Sequence, residues 1–333
     1  MRTPHARPGE GIRVGVIGWG YWGPNLGRNV AASRDCWLAG VADHAAGRRA
    51  AAHRDYPDVV LHTRGEELIL DPRIDAVVIA TSVHTHFDLA LAALRAGKHV
   101  LIEKPIAESS EQALILIEES DRRGLTLMVD HTFLFSPAVR AIRKLVDAHA
   151  LGQLRYFDSA RLNLGIVRKD VNVLWDVASH DLSLLDHFTP EPPVAVQAVG
   201  VAPTPGERAH LAWLTLSYAD GFTAQINASW ISPVKVRRLF LGGSDRMLIY
   251  DDLATRDRVT VFEGGVPVAT PELGTAEPLR EMVRHFVACI ARAERPISNG
   301  ATGLRVVRQL EAADRSMREH GRPVELDPVW AFA

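Results

Sequence analysis

The stretch Arg13-Val-Gly-Val-Ile-Gly18-Trp-Gly20-Tyr21-Trp22-Gly23-Pro-Asn-Leu constrains this chain more than any other. It sets Gly-x-Gly-x-x-Gly directly behind an apolar run and ahead of a helix-like segment that opens with Pro24. Gly18 permits a tight turn, Gly20 lets the backbone approach a pyrophosphate, and Gly23 lets a helix pack close on a sheet. A helix that begins there offers amides and a partial positive charge to phosphates. Tyr21 and Trp22 lie inside the same loop and join the expected cofactor contacts. A structural turn would need some of these glycines, but not in this context.

Short apolar runs recur at 12–18, 37–43, 59–61, 76–81, 100–103 and 125–130, alternating with helix-like segments at 24–33, 45–54, 66–70, 87–96 and 109–123. Most of the runs are rich in Val, Ile and Leu and alternate little, as strands buried on both faces do. Gly97 and Gly124 stand where helices should stop. Strand and helix repeated in this way predict a Rossmann domain, a doubly wound parallel sheet, over residues 12–130. Beyond 130 the rhythm changes. Helical patterns at 137–148, 175–188, 278–293 and 303–320 accompany strand patterns at 156–162, 194–201, 211–218, 222–230, 237–242, 246–250 and 259–262. Asp220-Gly221 reads as a hairpin turn. The expected second domain, 131–333, is α+β with a largely antiparallel sheet, for substrate binding and oligomerisation. A length of 333 residues fits two domains better than one core.

Composition narrows the partners. The chain carries 38 basic against 40 acidic residues, so bulk charge recruits neither nucleic acid nor an anionic membrane. Cys36 and Cys289 are its only cysteines, too few for a disulfide framework. The first ten residues hold no apolar run of the signal-peptide kind, and no run suits a spanning helix. A reduced, cytoplasmic enzyme or binding protein is the expectation.

Chemistry-bearing residues gather at the predicted strand ends. Asp43 closes the second run, where a carboxylate accepts ribose hydroxyls and repels a 2′-phosphate; this favours NAD, while His44, Arg48 and Arg49 nearby leave NADP open. Helix capping is the plainer role for Asp43. Thr81, Ser82 and His86 follow the fourth run on the cofactor side, with a metal reading of His84-Thr-His86 as the rival. Glu103-Lys104-Pro105 ends the fifth run and points into the crevice. There Lys104 can steady an alkoxide while Glu103 tunes its charge; a solvated ion pair is the plain alternative. His131 follows the sixth run and is either a substrate contact or a structural histidine. Asp176 and His180, four apart on a predicted helix, share a face and make a general base of an imidazole beside a carboxylate. An ordinary ion pair or a metal pair are the other readings, although no third ligand stands near unless His187 serves. Arg161, Asn163 and Asn172 are candidate contacts for substrate hydroxyls or phosphates.

Taken in order, Gly18-x-Gly20-x-x-Gly23, Glu103-Lys104-Pro105 and Asp176-x-x-x-His180 resemble the glucose–fructose oxidoreductase/inositol dehydrogenase/rhizopine catabolism (Gfo/Idh/MocA) family over nearly the whole chain. The loop Gly-Tyr-Trp-Gly-Pro-Asn-Leu, the run His131-Thr-Phe-Leu-Phe-Ser-Pro137 and Val-Asn-Val-Leu-Trp-Asp176 resemble its branch acting on nucleotide-linked amino sugars, which includes UDP-N-acetylglucosamine 3-dehydrogenases. The resemblance implies hydride transfer between a nicotinamide and a sugar or cyclitol carbon, with Lys104, Asp176 and His180 around the reacting hydroxyl and no metal. Two departures stand out. Thr81-Ser82-Val83 replaces the family's usual Thr-Pro-Asn, and Phe133 or Leu134 stands where an arginine is common. A dinucleotide-binding sensor is the alternative from another class, and an inositol or aminocyclitol dehydrogenase the alternative within the family. A sheet bearing Trp213, Phe222 and Trp230 also predicts a homodimer or homotetramer.

Overall fold

The computed structural model describes residues 11–165, 167–168, 170–189, 191–204 and 206–327. They divide into two compact units: residues through Phe135 with Ala276–Val307, and Ser136–Thr275 with residues from Arg308 onward.

The first unit runs β1 (Ile12–Ile17), α1 (Gly23–Ala31), β2 (Cys36–Ala42), α2 (Ala46–Asp55), β3 (Val60–His62), α3 (Gly65–Ile69), β4 (Ala76–Ile79), α4 (His86–Arg95), β5 (His99–Glu103), α5 (Ser110–Arg123) and β6 (Leu127–Asp130). Its six strands pair in parallel in the order β3-β2-β1-β4-β5-β6. That is the doubly wound order, and the direction of winding reverses between β1 and β4, where such sheets bind ligands. The cause lies in the sequence: Ala76-Val-Val-Ile79 is buried at every position, as a strand covered on both faces must be. Local signals close the helices. Ser109 accepts the Gln112 amide at the head of α5, and Gly124 caps its end in the left-handed region at φ +63.

The second unit contains α6 (Pro137–Asp147), β7 (Leu154–Leu164), a π-helical turn over Leu174–Ala178, α7 (Ser179–Phe188), β8 (Ala195–Val201), β9 (Leu211–Ser217), β10 (Thr223–Ser229), β11 (Ile231–Gly243), β12 (Met247–Asp251), β13 (Val259–Glu263) and β14 (Val266–Ala269). The chain then adds α8 (Pro278–Arg292), α9 (Gly300–Arg318) and β15 (Val324–Glu325). The nine strands are ordered β14-β13-β12-β11-β7-β10-β9-β8-β15. Among the described residues β10–β7 is the parallel pairing; the others are antiparallel. Gly221, at φ +84, makes the β9–β10 turn.

Three expectations need amending. The predicted helix over 175–188 begins instead with the π turn, so Asp176 and His180 straddle a change of helical pitch. Helix α8 and the start of α9 group with the first unit, not with a second domain that takes everything after residue 130. The reason is local: α8 buries Leu279, Met282, Val283 and Phe286, and Glu277 at its head holds Arg28 of α1 at 2.6 Å. Finally, Trp230 and Phe222 are buried, and of the three aromatic residues only Trp213 is half-exposed at 46%.

Candidate active site

The glycine loop follows β1 at the reversal point of the first sheet. Gly18 sits at φ +94, and a Cβ on it would lie 2.6 Å from the Ala80 carbonyl oxygen. A Cβ on Gly23 would lie 2.0 Å from the Gly18 carbonyl oxygen, so the head of α1 can approach only without one. Gly20 differs. The nearest protein atom to a Cβ there is Nη1 of Arg48 at 3.7 Å, so nothing in this chain's own packing demands glycine. The open space is what a pyrophosphate against the loop requires, and the residues fit a dinucleotide. Trp19, buried, donates its amide to Asp43 Oδ2 at 2.7 Å. Asp43 Oδ1 accepts the Ala45 amide at 2.8 Å, and α2 has no side-chain cap, so Asp43 braces the turn and not the helix. Tyr21 is 90% exposed and stacks on Trp22. The Trp22 indole N–H donates to Asp130 Oδ2 at 3.1 Å, tying the loop to the end of β6.

The neighbouring strand ends complete this rim. Thr81 receives the Thr85 hydroxyl at 2.7 Å, and Ser82 precedes a 3-10 turn over Val83–Thr85. The buried His86 ring bridges two carbonyls, Pro105 at 2.8 Å from Nδ1 and Thr81 at 3.2 Å from Nε2. Both ring nitrogens are thereby engaged, while His84 is exposed. Among the described residues there is no group of three His, Cys, Asp or Glu side chains that could hold a metal ion.

Glu103 stands opposite Asp130 in the β5–β6 register. Burial first, and the Asp130 charge second, push the Glu103 carboxyl well above the usual range. Asp130 accepts from both Trp22 and the Thr132 hydroxyl, while the raised Glu103 carboxyl holds its proton. Glu103 therefore acts beside Lys104 as a neutral group whose Oε2 accepts the Lys104 amide at 3.2 Å. His131 is 1% exposed, and neither ring nitrogen has a hydrogen-bond partner among the described residues. Burial first and the Lys104 charge second lower its pKa to about 3. A pKa that low leaves the imidazole neutral near pH 7, with two nitrogens able to take part in hydrogen bonds. Such a buried orphan fits a bound water or ligand.

In the second unit, Asn172 opens the π turn. Its Oδ1 accepts the Leu174 and Trp175 amides at 3.0 and 3.3 Å, and its Nδ2 donates to Asp314 at 2.7 Å. Between Asn172 and Ser179 every residue is buried except Asp176, and His180 is the next to reach solvent. The pair thus emerges from an otherwise sealed segment, and π turns are frequent at functional sites. Trp230, buried at the end of β10, donates its indole N–H to Asp176 Oδ2 at 3.1 Å. Arg161 of β7 forms a two-point contact with Asp181 of α7, at 2.7 and 3.2 Å. Sequence reasoning treated Arg161 and Asn172 as substrate contacts; both have their polar groups engaged within the protein. Asn163 lies on β7, half-buried. Trp230, Asp130 and Asp181 were not anticipated. Register offered a signal for Asp130 alone, through its place beside Glu103.

Two family models match the chain. The oxidoreductase family with NAD-binding Rossmann fold (Gfo/Idh/MocA) matches residues 12–131, and the Gfo/Idh/MocA C-terminal domain matches residues 139–249. The chain belongs to the Gfo/Idh/MocA oxidoreductase family. It is similar to the UDP-N-acetylglucosamine 3-dehydrogenase of Acidithiobacillus ferrooxidans, 33% identical over 89% of this chain and 94% of that protein. A solved structure of that enzyme superposes with a TM-score of 0.82 at 30% identity, covering 92% of this chain and 99% of the other. Two Bacillus subtilis relatives are more distant. The scyllo-inositol 2-dehydrogenase (NADP(+)) is 25% identical over 72% of this chain and 68% of its own length. The scyllo-inositol 2-dehydrogenase (NAD(+)) is 24% identical over 96% and 98%. As a Gfo/Idh/MocA member the chain is an NAD(P)-dependent dehydrogenase. No helix among the described residues is long and apolar enough to cross a membrane.

Proposed function

We propose that this protein oxidises a secondary alcohol of a sugar, or reduces the matching ketone, with the C3 hydroxyl of a nucleotide-linked amino sugar as its substrate. The observation that carries this reading is the 33% identity to a UDP-N-acetylglucosamine 3-dehydrogenase along nearly all of both chains. Asp176 and His180, emerging from a buried segment, support it.

Gly18, Gly20, Gly23 and the head of α1 hold the pyrophosphate, and Asp43 accepts the adenosine ribose hydroxyls. When bound, the nicotinamide accepts or returns the hydride. In the oxidative direction His180 takes the hydroxyl proton as the carbon gives up its hydride and the C–O bond becomes a carbonyl. Asp176, fixed at Oδ2 by Trp230, steadies the imidazolium. The Lys104 ammonium offsets the charge that develops on the substrate oxygen. His131 donates or accepts one hydrogen bond beside it without changing charge.

The test is NAD(P)H formation with UDP-N-acetylglucosamine, its unlinked sugar and a panel of inositols. Turnover selective for the nucleotide sugar, reduced about 10²–10⁴-fold in His180→Asn, is the expected outcome. Selective turnover of an inositol would overturn the substrate assignment. Wild-type rates in both His180→Asn and Lys104→Ala would overturn the roles.

A further inference from the structure

The π turn that carries Asp176 is gripped from α9. Asp314 accepts Asn172 Nδ2 at 2.7 Å on one carboxylate oxygen and the Trp175 indole N–H at 2.9 Å on the other. All three residues lie in the second unit, and Asn172 and Trp175 are buried. Asn172 in turn accepts the Leu174 and Trp175 amides through Oδ1, so it closes the head of the turn. Burial first pushes the Asp314 carboxyl up, against those two hydrogen bonds and the charges of Arg318 on the same helix and Arg208 ahead of β9. An acid held in such a place has a desolvation cost that a neutral side chain would avoid.

Hydrogen-bond chemistry explains why it stands there. An indole N–H can only donate, whereas an amide can turn either end toward a partner. A carboxylate accepts on both oxygens, so it takes the indole and also obliges Asn172 to present Nδ2. That leaves Asn172 Oδ1 facing the turn. An asparagine at 314 would set its own NH2 against one of the two donors, and the Asn172 amide would lose its fixed direction. Where the π turn begins decides the angle between Asp176 and His180, because the helical pitch changes between them. Asp181, the neighbouring carboxylate, is taken by Arg161 and cannot stand in for Asp176.

We propose that Asp314 is a positioning residue for the Asp176–His180 pair: through Asn172 and Trp175 it fixes the start of the π turn, and so the direction in which Asp176 meets the imidazole. The inference rests on the reading of that pair as the proton-transfer groups. It adds a residue that acts through them from another helix.

The pH titration of His180 in the intact protein tests this with neither substrate nor cofactor. It is read by NMR from the imidazole proton signals, with His180→Asn identifying the peak. Asp176→Asn is the reference, and loss of the adjoining carboxylate should move the titration to lower pH by about one unit. Asp314→Asn, which keeps both members of the pair, should move it the same way by about half a unit. In turnover of UDP-N-acetylglucosamine with NAD(+), kcat should fall about 10–100-fold and KM stay within about threefold, as for a misplaced catalytic group. Asp314→Glu keeps two acceptors and should recover part of both effects. Should Asp314→Asn fail to fold, Trp175→Phe removes one of the two bonds, keeps the aromatic bulk and should give a smaller shift in the same direction. A lower melting temperature with the wild-type His180 titration would make Asp314 merely structural and overturn the proposal, as would a raised KM at unchanged kcat. If Asp176→Asn also left the titration in place, the reading of the pair would fail and the proposal with it. A shift in Asp176→Asn alone would sink the role of Asp314 by itself.

Discussion

Asp181→Asn should cost the second unit about 3–5 kcal/mol, the usual loss when one member of a buried ion pair is removed. The structure supplies the reasons for so large a value. Arg161 and Asp181 keep only 10% and 4% of their side chains exposed, and they meet through two hydrogen bonds at 2.7 and 3.2 Å. An exposed pair of the same geometry would contribute no more than about 1 kcal/mol. Burial is the largest single influence and lowers the Arg161 pKa, but the Asp181 charge and hydrogen bonds, with Asp252 and Tyr250 adding to them, make the net shift upward. The guanidinium stays charged even when its partner is lost, because the intrinsic basicity of arginine leaves it no route to neutrality in a protein. Replacing both members, Arg161→Met with Asp181→Leu, removes the charges together and should be neutral or stabilising by up to about 4 kcal/mol. Urea unfolding followed by tryptophan fluorescence measures this, with separate transitions allowed for the two units. Asp181 directly follows His180, so the single variant should also lose turnover as α7 loosens. A loss below about 1 kcal/mol with an unchanged m value would refute the reasoning and mean that water reaches the pair.

Glu103→Gln tests the neutral carboxyl. Its folded pKa lies above the unfolded one, so its contribution is fully present below about pH 4.3 and is lost as pH rises toward the folded value, at about 1.4 kcal/mol per unit. The variant should therefore gain on wild type in melting temperature between pH 5 and pH 8; parallel curves would contradict the assignment. Gly20→Val should abolish dinucleotide binding in calorimetry yet leave melting unchanged, whereas Gly23→Ala, whose Cβ would sit 2.0 Å from a carbonyl oxygen, should lower both. Wild type is expected to be a homodimer or homotetramer by light scattering, because Trp213 and Val199 face each other half-exposed across β9 and β8. Trp213→Glu should dissociate it, and a wild-type monomer of 36.6 kDa would count against this surface.

Strand order and crevice were legible because parallel buried strands and glycine loops leave short-range marks. Ala76–Ile79 has no polar residue to alternate with, Gly18 is demanded by its own φ of +94, and Gly23 by the Gly18 carbonyl five residues before it. What escaped was set by contacts distant in sequence. Trp230 reaches Asp176 across 54 residues, and Asp314 holds both Asn172 and Trp175 from more than 130 residues away. Nothing near Arg161 announces Asp181 as its partner, so a buried arginine looked like a free one. The π turn was hidden for a related reason: Leu174–Ala178 has ordinary helical composition, and the partners of its side chains, Asp314 for Trp175 and Trp230 for Asp176, lie far off in sequence. Residue types that carry chemistry can be read from the chain, but the groups that fix their charge and direction come from elsewhere in the fold. His131 shows the consequence. In the sequence it reads as either a structural histidine or a substrate contact, and only burial beside Lys104 makes it a neutral imidazole with two nitrogens to satisfy.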